Sequence, residues 1–351
     1  MKYTLQDLRS IPIFFVVGKG RSGTTLLSNI LDSHPNVASA TESRFILILW
    51  LKYRNMKRWK PEMAEAFYEV LLQDYRIKYL WEFEDDFIPQ LKLLPAETTV
   101  QDLIKMVYLF KKSLFAKEKI HYIIDKNPRY TLFLDRMHLI FNDAKFIRII
   151  RDPRDNVVSS IKYSKKKVGA IGYKWYMYNK AFDDFAAKYP SLCHTKAFEQ
   201  LILDKETYFS EFEEFTGIHG LAKIESNRLN IKDEFEGKFT EKLRVQHQGS
   251  VKPLDAKKVG HFKSKLTEQQ IKAIEAHVFP YAEKHGYEKA TAVEPIGTSK
   301  KNKLDLKHRY RFMKHALLYR LPYPLFIAVR KFMLENVSKA KKEKLDHLIN
   351  E

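Results

Sequence analysis

A short apolar run rich in β-favouring residues at 13–17, and strand-like segments at 36–39, 121–125, 145–150 and 192–196, alternate along the chain with stretches of helical character. That alternation predicts an α/β fold with a mostly parallel sheet flanked by helices. The first segment runs into the glycine-rich turn Gly18-Lys19-Gly20-Arg21-Ser22-Gly23, after which apolar positions recur at helical spacing from Thr24 to Leu31. This is a strand, loop, helix unit. Residues 45–120 read as largely helical, with Trp50, Tyr53, Trp59, Phe67, Tyr68, Trp81, Phe83 and Phe87 set among charged residues, and they predict a helical lid insertion beside the sheet. The pattern leaves open whether these rings pack helices together or face a ligand.

The longest apolar runs, 11–17 and 45–51, are seven residues each, well short of the roughly 18 that a membrane span needs. The first ends directly in Gly18-Lys19-Gly20-Arg21 without a small-residue cleavage site, so it is read as a buried strand. A formal net charge of +19, from 62 Lys and Arg against 43 Asp and Glu, calls for an anionic partner without choosing one. Nucleotide, nucleic acid, acidic glycan and phospholipid surface all qualify. Cys193 stands alone, which excludes an intrachain disulfide framework and suggests a cytoplasmic protein. Charge is concentrated at the end, where residues 300–351 hold fourteen Lys and Arg against five Asp and Glu. The expected organisation is a catalytic domain over 1–290 and a basic helical extension over 291–351.

Gly18 to Thr25 lies where backbone N–H groups and a helix N-terminus bind phosphate. A nucleoside triphosphatase loop of this P-loop type would carry lysine where this chain has Thr24. That lysine reaches the β- and γ-phosphates, so its replacement argues against ATP or GTP hydrolysis, and the nearby positive charge is Arg21. A second basic position follows the 145–150 strand: Arg151-Asp152-Pro153-Arg154-Asp155 predicts a helix with Asp152 as its cap and Pro153 in its first turn. Arg151 is thereby fixed at the carboxyl end of a strand, where doubly wound sheets bind ligands.

Across residues 20–44, the segments Gly-Arg-Ser-Gly-Thr-Thr-Leu-Leu, Leu31-Asp32-Ser33-His34-Pro35 and Thr41-Glu42-Ser43-Arg44 resemble the tyrosylprotein sulfotransferases and their bacterial relatives. The resemblance implies a sulfonate donor, 3′-phosphoadenosine-5′-phosphosulfate (PAPS), with no metal required. It assigns the 5′-phosphosulfate end to Gly20, Arg21, Ser22, Gly23, Thr24 and Thr25, and the 3′-phosphate to Arg151 and Ser159. It implies Glu42 as general base, Lys126 in Asp125-Lys126-Asn127-Pro128 as stabiliser of the transition state, and Arg21 as the charge on the leaving phosphate oxygen. Phe198 falls where relatives carry a tyrosine near the adenine, so its contact would be apolar only. His34 is read as structural. Lys257 to Lys263 resembles a late basic segment over the nucleotide, with Lys257, Lys258, His261 and Lys263 all open as contacts.

The expected partner is a hydroxyl-bearing small-molecule or lipid acceptor, with a hydrophobic alcohol such as a sterol suggested by the aromatic insertion and the tail. In the tail Leu325, Ala328, Val329, Phe332 and Met333 share one helical face, while Arg330, Lys331, Lys339, Lys341 and Lys342 add charge for peripheral contact with an anionic membrane. Two other classes compete. A P-loop nucleotide kinase or phosphotransferase would bind ATP with magnesium, and a basic nucleic-acid-binding protein would lose DNA or RNA steeply with salt. No nucleic-acid motif accompanies the charge, so no nucleic-acid partner is expected.

Overall fold

The computed structural model describes residues 2–40, 42–113, 115–161, 163–164, 166–227 and 253–335. All five predicted strands form: β1 Ile13–Gly18, β2 Val37–Ala40, β3 Tyr122–Lys126, β4 Lys145–Ile150 and β5 Cys193–Ala197. They pair in parallel throughout, in the order β2-β3-β1-β4-β5. The apolar run of β1 is continuous because both faces of the sheet's centre are covered, whereas the edge strand β5 is mostly half-buried and mixed in character. On β1, Ile13, Phe15 and Val17 enter one core while Phe14 and Val16 enter the other. Each such side chain contributes about 1.5–3 kcal/mol by leaving water, and Phe15→Ala at the centre of β1 should cost about 3–5 kcal/mol.

From β1 the chain moves out to β2, returns to β3 between them, and then crosses to β4 on the far side of β1. Such a reversal opens a crevice at the carboxyl ends of the strands. The helix Thr24–Asp32 leaves the loop after β1, and Pro153–Ile161 leaves the loop after β4. The latter is capped as the sequence predicts, with the Arg154 N–H donating to Oδ1 of Asp152 at 2.7 Å.

The 45–120 region supplies the helices Phe45–Tyr53, Ala64–Leu71, Tyr75–Leu80, Phe87–Lys92 and Val100–Leu109. Its aromatics are core: Tyr53, Trp59, Phe67, Trp81 and Phe87 are buried, and Trp50, Tyr68 and Phe83 pack against the same cluster. They therefore form no open apolar surface. A third core joins the helices Val168–Ala186 and Glu268–Val278 to the Phe262 segment.

The basic extension contains the helices Thr298–Leu318 and Tyr323–Glu335. It is fastened to the main core by Tyr319 and Phe326, both buried there. Arg330 is only 16% exposed and faces Asp74 at 3.8 Å, so it serves packing and is removed from the membrane-facing set. Lys339, Lys341 and Lys342, and the side chains of Lys331 and Met333, lie outside the described residues, as does Thr41 of the loop motif. Among the described residues, no helix is long and apolar enough to cross a membrane.

Candidate active site

Every strand delivers at least one expected site residue at or just past its carboxyl end. The loop Gly20 to Thr25 follows β1, Glu42 follows β2, Lys126 ends β3, Arg151 follows β4 and Phe198 follows β5. The register places Lys126 beside Val16 and Ile149 beside Gly18, which draws these ends to one rim.

The loop turns through two left-handed positions, Arg21 at φ 74° and Gly23 at φ 94°. Glycine adopts that conformation freely, whereas at Arg21 it is strained, a feature that collects at ligand sites. No side chain caps the Thr24–Asp32 helix, so its first-turn N–H groups keep their capacity for an anion. Asn156 braces the loop from the facing helix, its Nδ2 donating to the Gly20 carbonyl at 3.1 Å and to Ser22 Oγ at 3.0 Å.

Two clusters flank the loop. In the first, Lys126 Nζ lies 3.4 Å from both Thr25 Oγ1 and Glu42 Oε1, while Arg76 Nη2 reaches the other Glu42 oxygen at 3.2 Å. Burial works to raise the Glu42 carboxyl, but the charges of Lys126, Arg76 and Arg129 outweigh it and hold the group below its ordinary value. Glu42 is thus ionised at neutral pH. Burial lowers the Lys126 ammonium; the Glu42 charge opposes this and Arg76 adds to it.

In the second cluster, Arg21 Nε donates to Ser159 Oγ at 3.1 Å and its guanidinium lies over the Tyr163 ring at 4.7 Å. Arg151 donates to the Arg21 carbonyl at 3.4 Å and to the Lys258 carbonyl at 2.7 Å. Its guanidinium stacks on Phe198 at 4.5 Å, and its buried Nε has no protein acceptor. A buried guanidinium with a spare donor suits an anion. The late basic segment is pinned alongside: Asp155 accepts from the Gly260 N–H at 2.8 Å and the Phe262 N–H at 2.7 Å.

The structure thus brings Glu42, Lys126 and Thr25 together, and separately Arg21, Ser159, Arg151 and Phe198. Arg21 is expected near the transferring group, yet its side chain is turned to the second cluster. Phe198 is buried beneath the loop, its ring against Gly23 as well as Arg151. His34 is structural as expected: Nδ1 accepts from the Asn36 N–H, and Nε2 lies 3.1 Å from the His219 carbonyl. Sequence reasoning missed Lys19, Arg76, Arg129 and Asn156. Two of them left a signal: Lys19 stands within the glycine-rich turn, and Asn156 lies three residues before Ser159 and so on the same helical face. Lys19 sits in the loop with its ammonium lowered to about 8 by burial, then by Lys174 and Arg21.

Two cationic sites linked by one phosphate loop, with a carboxylate and lysine beside Thr25, can hold a doubly phosphorylated nucleotide and deprotonate a nucleophile at one end of it. Residues 12–221 match the Sulfotransferase family. The chain is 25% identical over 308 residues to protein-tyrosine sulfotransferase 2 of Gallus gallus, a match covering 80% of this chain and 70% of that protein. It is 26% identical over 226 residues to protein-tyrosine sulfotransferase 1 of Danio rerio, covering 60% and 54%. The solved sulfotransferase domain of the Synechococcus PCC 7002 olefin synthase superposes with a TM-score of 0.45 at 17% identity, covering 79% of this chain and 95% of that one. The family match takes in the loop, Glu42, Lys126, Arg151, Ser159 and Phe198 and spans more than half of the sequence, and the chain belongs to the sulfotransferase family.

Proposed function

We propose that this protein transfers the sulfonate of PAPS to an acceptor hydroxyl. The observation that carries the reading is the pair of clusters on one loop, with Glu42 and Lys126 at the Thr25 side and Arg151 and Ser159 at the other. The fit is supported by the uncapped helix, the strained loop and the spare Arg151 donor. PAPS supplies an activated sulfonate. The loop N–H groups would hold its 5′ end and Arg151 with Ser159 its 3′-phosphate, while Phe198 backs both Arg151 and the loop. Glu42, ionised and held by Lys126, would take the acceptor's proton as the new oxygen–sulfur bond forms and the bond to the 5′-phosphate breaks. Lys126 would offset charge on the reacting oxygens. Positioning and electrostatics carry most of such a transfer, as in phosphoryl transfer.

The acceptor proposed is a hydrophobic or amphiphilic alcohol, sterol or lipid, met by a cytoplasmic enzyme at a membrane surface. Its support is the tail, where Leu306, Tyr310, Met313 and Leu317 recur at spacings of four, three and four and are exposed by half or more, as are Leu325 and Phe332. That row, set in a strongly basic segment, suits an anionic bilayer. The buried insertion aromatics lend it no support.

Calorimetry with 3′,5′-bisphosphoadenosine, AMP and ATP, run in chelator and again with magnesium, tests the donor half. The bisphosphate should bind at least tenfold more tightly than AMP, matching one added charge-assisted phosphate contact of about 1.5–3 kcal/mol. Equal affinities, or a preference for ATP with magnesium, would contradict it.

A further inference from the structure

Burying an ammonium group is costly unless acceptors replace the water it loses. Four lysines are buried among the described residues: Lys105, Lys111, Lys126 and Lys196. Three of them are compensated. Lys105 Nζ donates to the Leu8 and Ile11 carbonyls at 2.7 and 2.6 Å, Lys126 pairs with Glu42, and Lys196 pairs with Glu211. Lys111, 9% exposed, donates to the carbonyl of its neighbour Lys112 at 3.2 Å. The ion pairs around it, Lys112 with Asp85 and Lys117 with Asp32, leave it out. Burial lowers its ammonium, against the charge of Asp32. An ammonium carries three donors, so two of them are spare here.

Lys111 stands in the wall of a cavity of about 690 Å³, a volume within the ordinary range for small-molecule sites. Its backbone is fixed by a bridge to Phe83, and Nζ lies 5.7 Å from the centre of the Trp81 ring. The cavity follows the outer edge of β2, between Ala38 and Ser39 of that strand, Tyr108 and Leu109 of the Val100–Leu109 helix, and the chain from 111 to 120. The polar groups of that edge are already engaged: Asp32 accepts from the Ser39 N–H at 3.3 Å, and Lys117 donates to the Val37 carbonyl at 2.7 Å. None of the described lining residues belongs to the phosphate loop, and Glu42, Lys126, Arg151 and Ser159 are also absent from the lining. The cavity is therefore separate from the site already described.

We propose that this cavity binds a small organic carboxylate, with its charged group on Lys111 and a compact apolar body against Ala38, Leu109 and Phe115. The spare ammonium donors supply charge-assisted hydrogen bonds, which are the strong ones. A single negative charge suits the lining, because Asp32, Glu84 and Glu118 also border the cavity and repel a dianion such as phosphate. The ligand lies apart from the transfer chemistry and is bound without being sulfonated. Lys111 is then a residue kept at some cost to the stability of the empty protein, a cost that the bound carboxylate offsets.

The test is calorimetry on the full chain with benzoate, cyclohexanecarboxylate and hexanoate, their amides, and inorganic phosphate, each titrated with and without 3′,5′-bisphosphoadenosine. At least one carboxylate should fill one saturable site, with its amide and phosphate at least tenfold weaker, and its affinity should be the same in both conditions. Lys111→Met keeps the apolar stem and removes the charge. It should weaken that carboxylate at least tenfold, while the thermal midpoint of the empty variant should equal or exceed that of the wild type, since no paired charge is lost. Ala116 is an exposed residue of the lining, and Ala116→Trp should block binding while leaving the midpoint and bisphosphate affinity unchanged. Failure of every carboxylate to bind, parity of acid and amide, survival of binding in either variant, or displacement by the bisphosphate would each overturn the proposal. So would a marked fall in the midpoint of Lys111→Met, which would make Lys111 a residue of the fold alone.

Discussion

A β-carbon on Gly23 would stand 2.3 Å from Cδ2 of the Phe198 ring, and Gly23 itself is at φ 94°. The ring cannot retreat easily because Arg151 is stacked on it. The phosphate loop after β1 is therefore seated on the residue that follows β5. Gly23→Ala should cost of order 1–3 kcal/mol of stability through backbone strain and this clash and weaken the bisphosphate at least tenfold. Denaturant titration and calorimetry read the two effects, and a variant normal in both would free the loop from Phe198.

Arg151 joins the loop, the late basic segment and the Phe198 ring. Arg151→Ala should weaken 3′,5′-bisphosphoadenosine by about 1.5–3 kcal/mol, the worth of a hydrogen bond to a charged group, while AMP binding changes little. Equal losses for both nucleotides would assign Arg151 to loop support alone.

Lys19 gives a proton signature for donor binding. Its ammonium is lowered to about 8, by burial first and then by Lys174 and Arg21, so near pH 8 about half of it is neutral before anything binds. A bound bisphosphate favours the charged form and raises the pKa. Binding should then take up part of a proton near pH 8, and affinity should fall as pH rises through that value. Titrations in two buffers of different ionisation enthalpy measure the uptake, which should vanish in Lys19→Gln. Uptake that persists in the variant would place the titrating group elsewhere.

The tail is tested by surface substitution, since removing residues 300–351 would also strip Tyr319 and Phe326 from the core. Leu306→Glu with Met313→Glu should leave the thermal midpoint within a degree or two and reduce sedimentation with anionic liposomes at least fivefold, the wild-type binding weakening with salt. If wild type and variant pellet equally, or a concentration-dependent dimer buries this row instead, the membrane proposal is wrong.

The centre of the sheet was legible because a strand buried on both faces, such as β1, leaves an unbroken apolar run, while β2 and β5 are short and mixed. The expected limits of β2, β3 and β5 are shifted by one residue at both ends, and β1 runs one residue further, to Gly18. At the carboxyl ends the ladder continues through Gly18, Ala40, Lys126 and Ala197, which are small or charged and carry no apolar signal. The loop, Glu42, Lys126, Arg151 and Ser159 were readable from local motifs. Arg76 was not, since its meeting with Glu42 depends on how the Tyr75–Leu80 helix is anchored through Asp74, and convergence of distant segments has no period in sequence. The aromatics show the converse limit: composition counted the rings in 45–120 but could not tell an inward face from an outward one.

Glu42 carries the central claim, and its conservative variant tests it most directly. With sulfur-labelled PAPS and a panel of lipid, sterol, phenol, glycan and peptide hydroxyls, wild type should form labelled product. Glu42→Gln, which keeps the size and removes the proton acceptor, should be slower by about 10²–10⁴-fold with its affinity for 3′,5′-bisphosphoadenosine intact. Near-normal turnover by the variant, or a wild type that binds the bisphosphate yet labels no hydroxyl in the panel, would contradict the account.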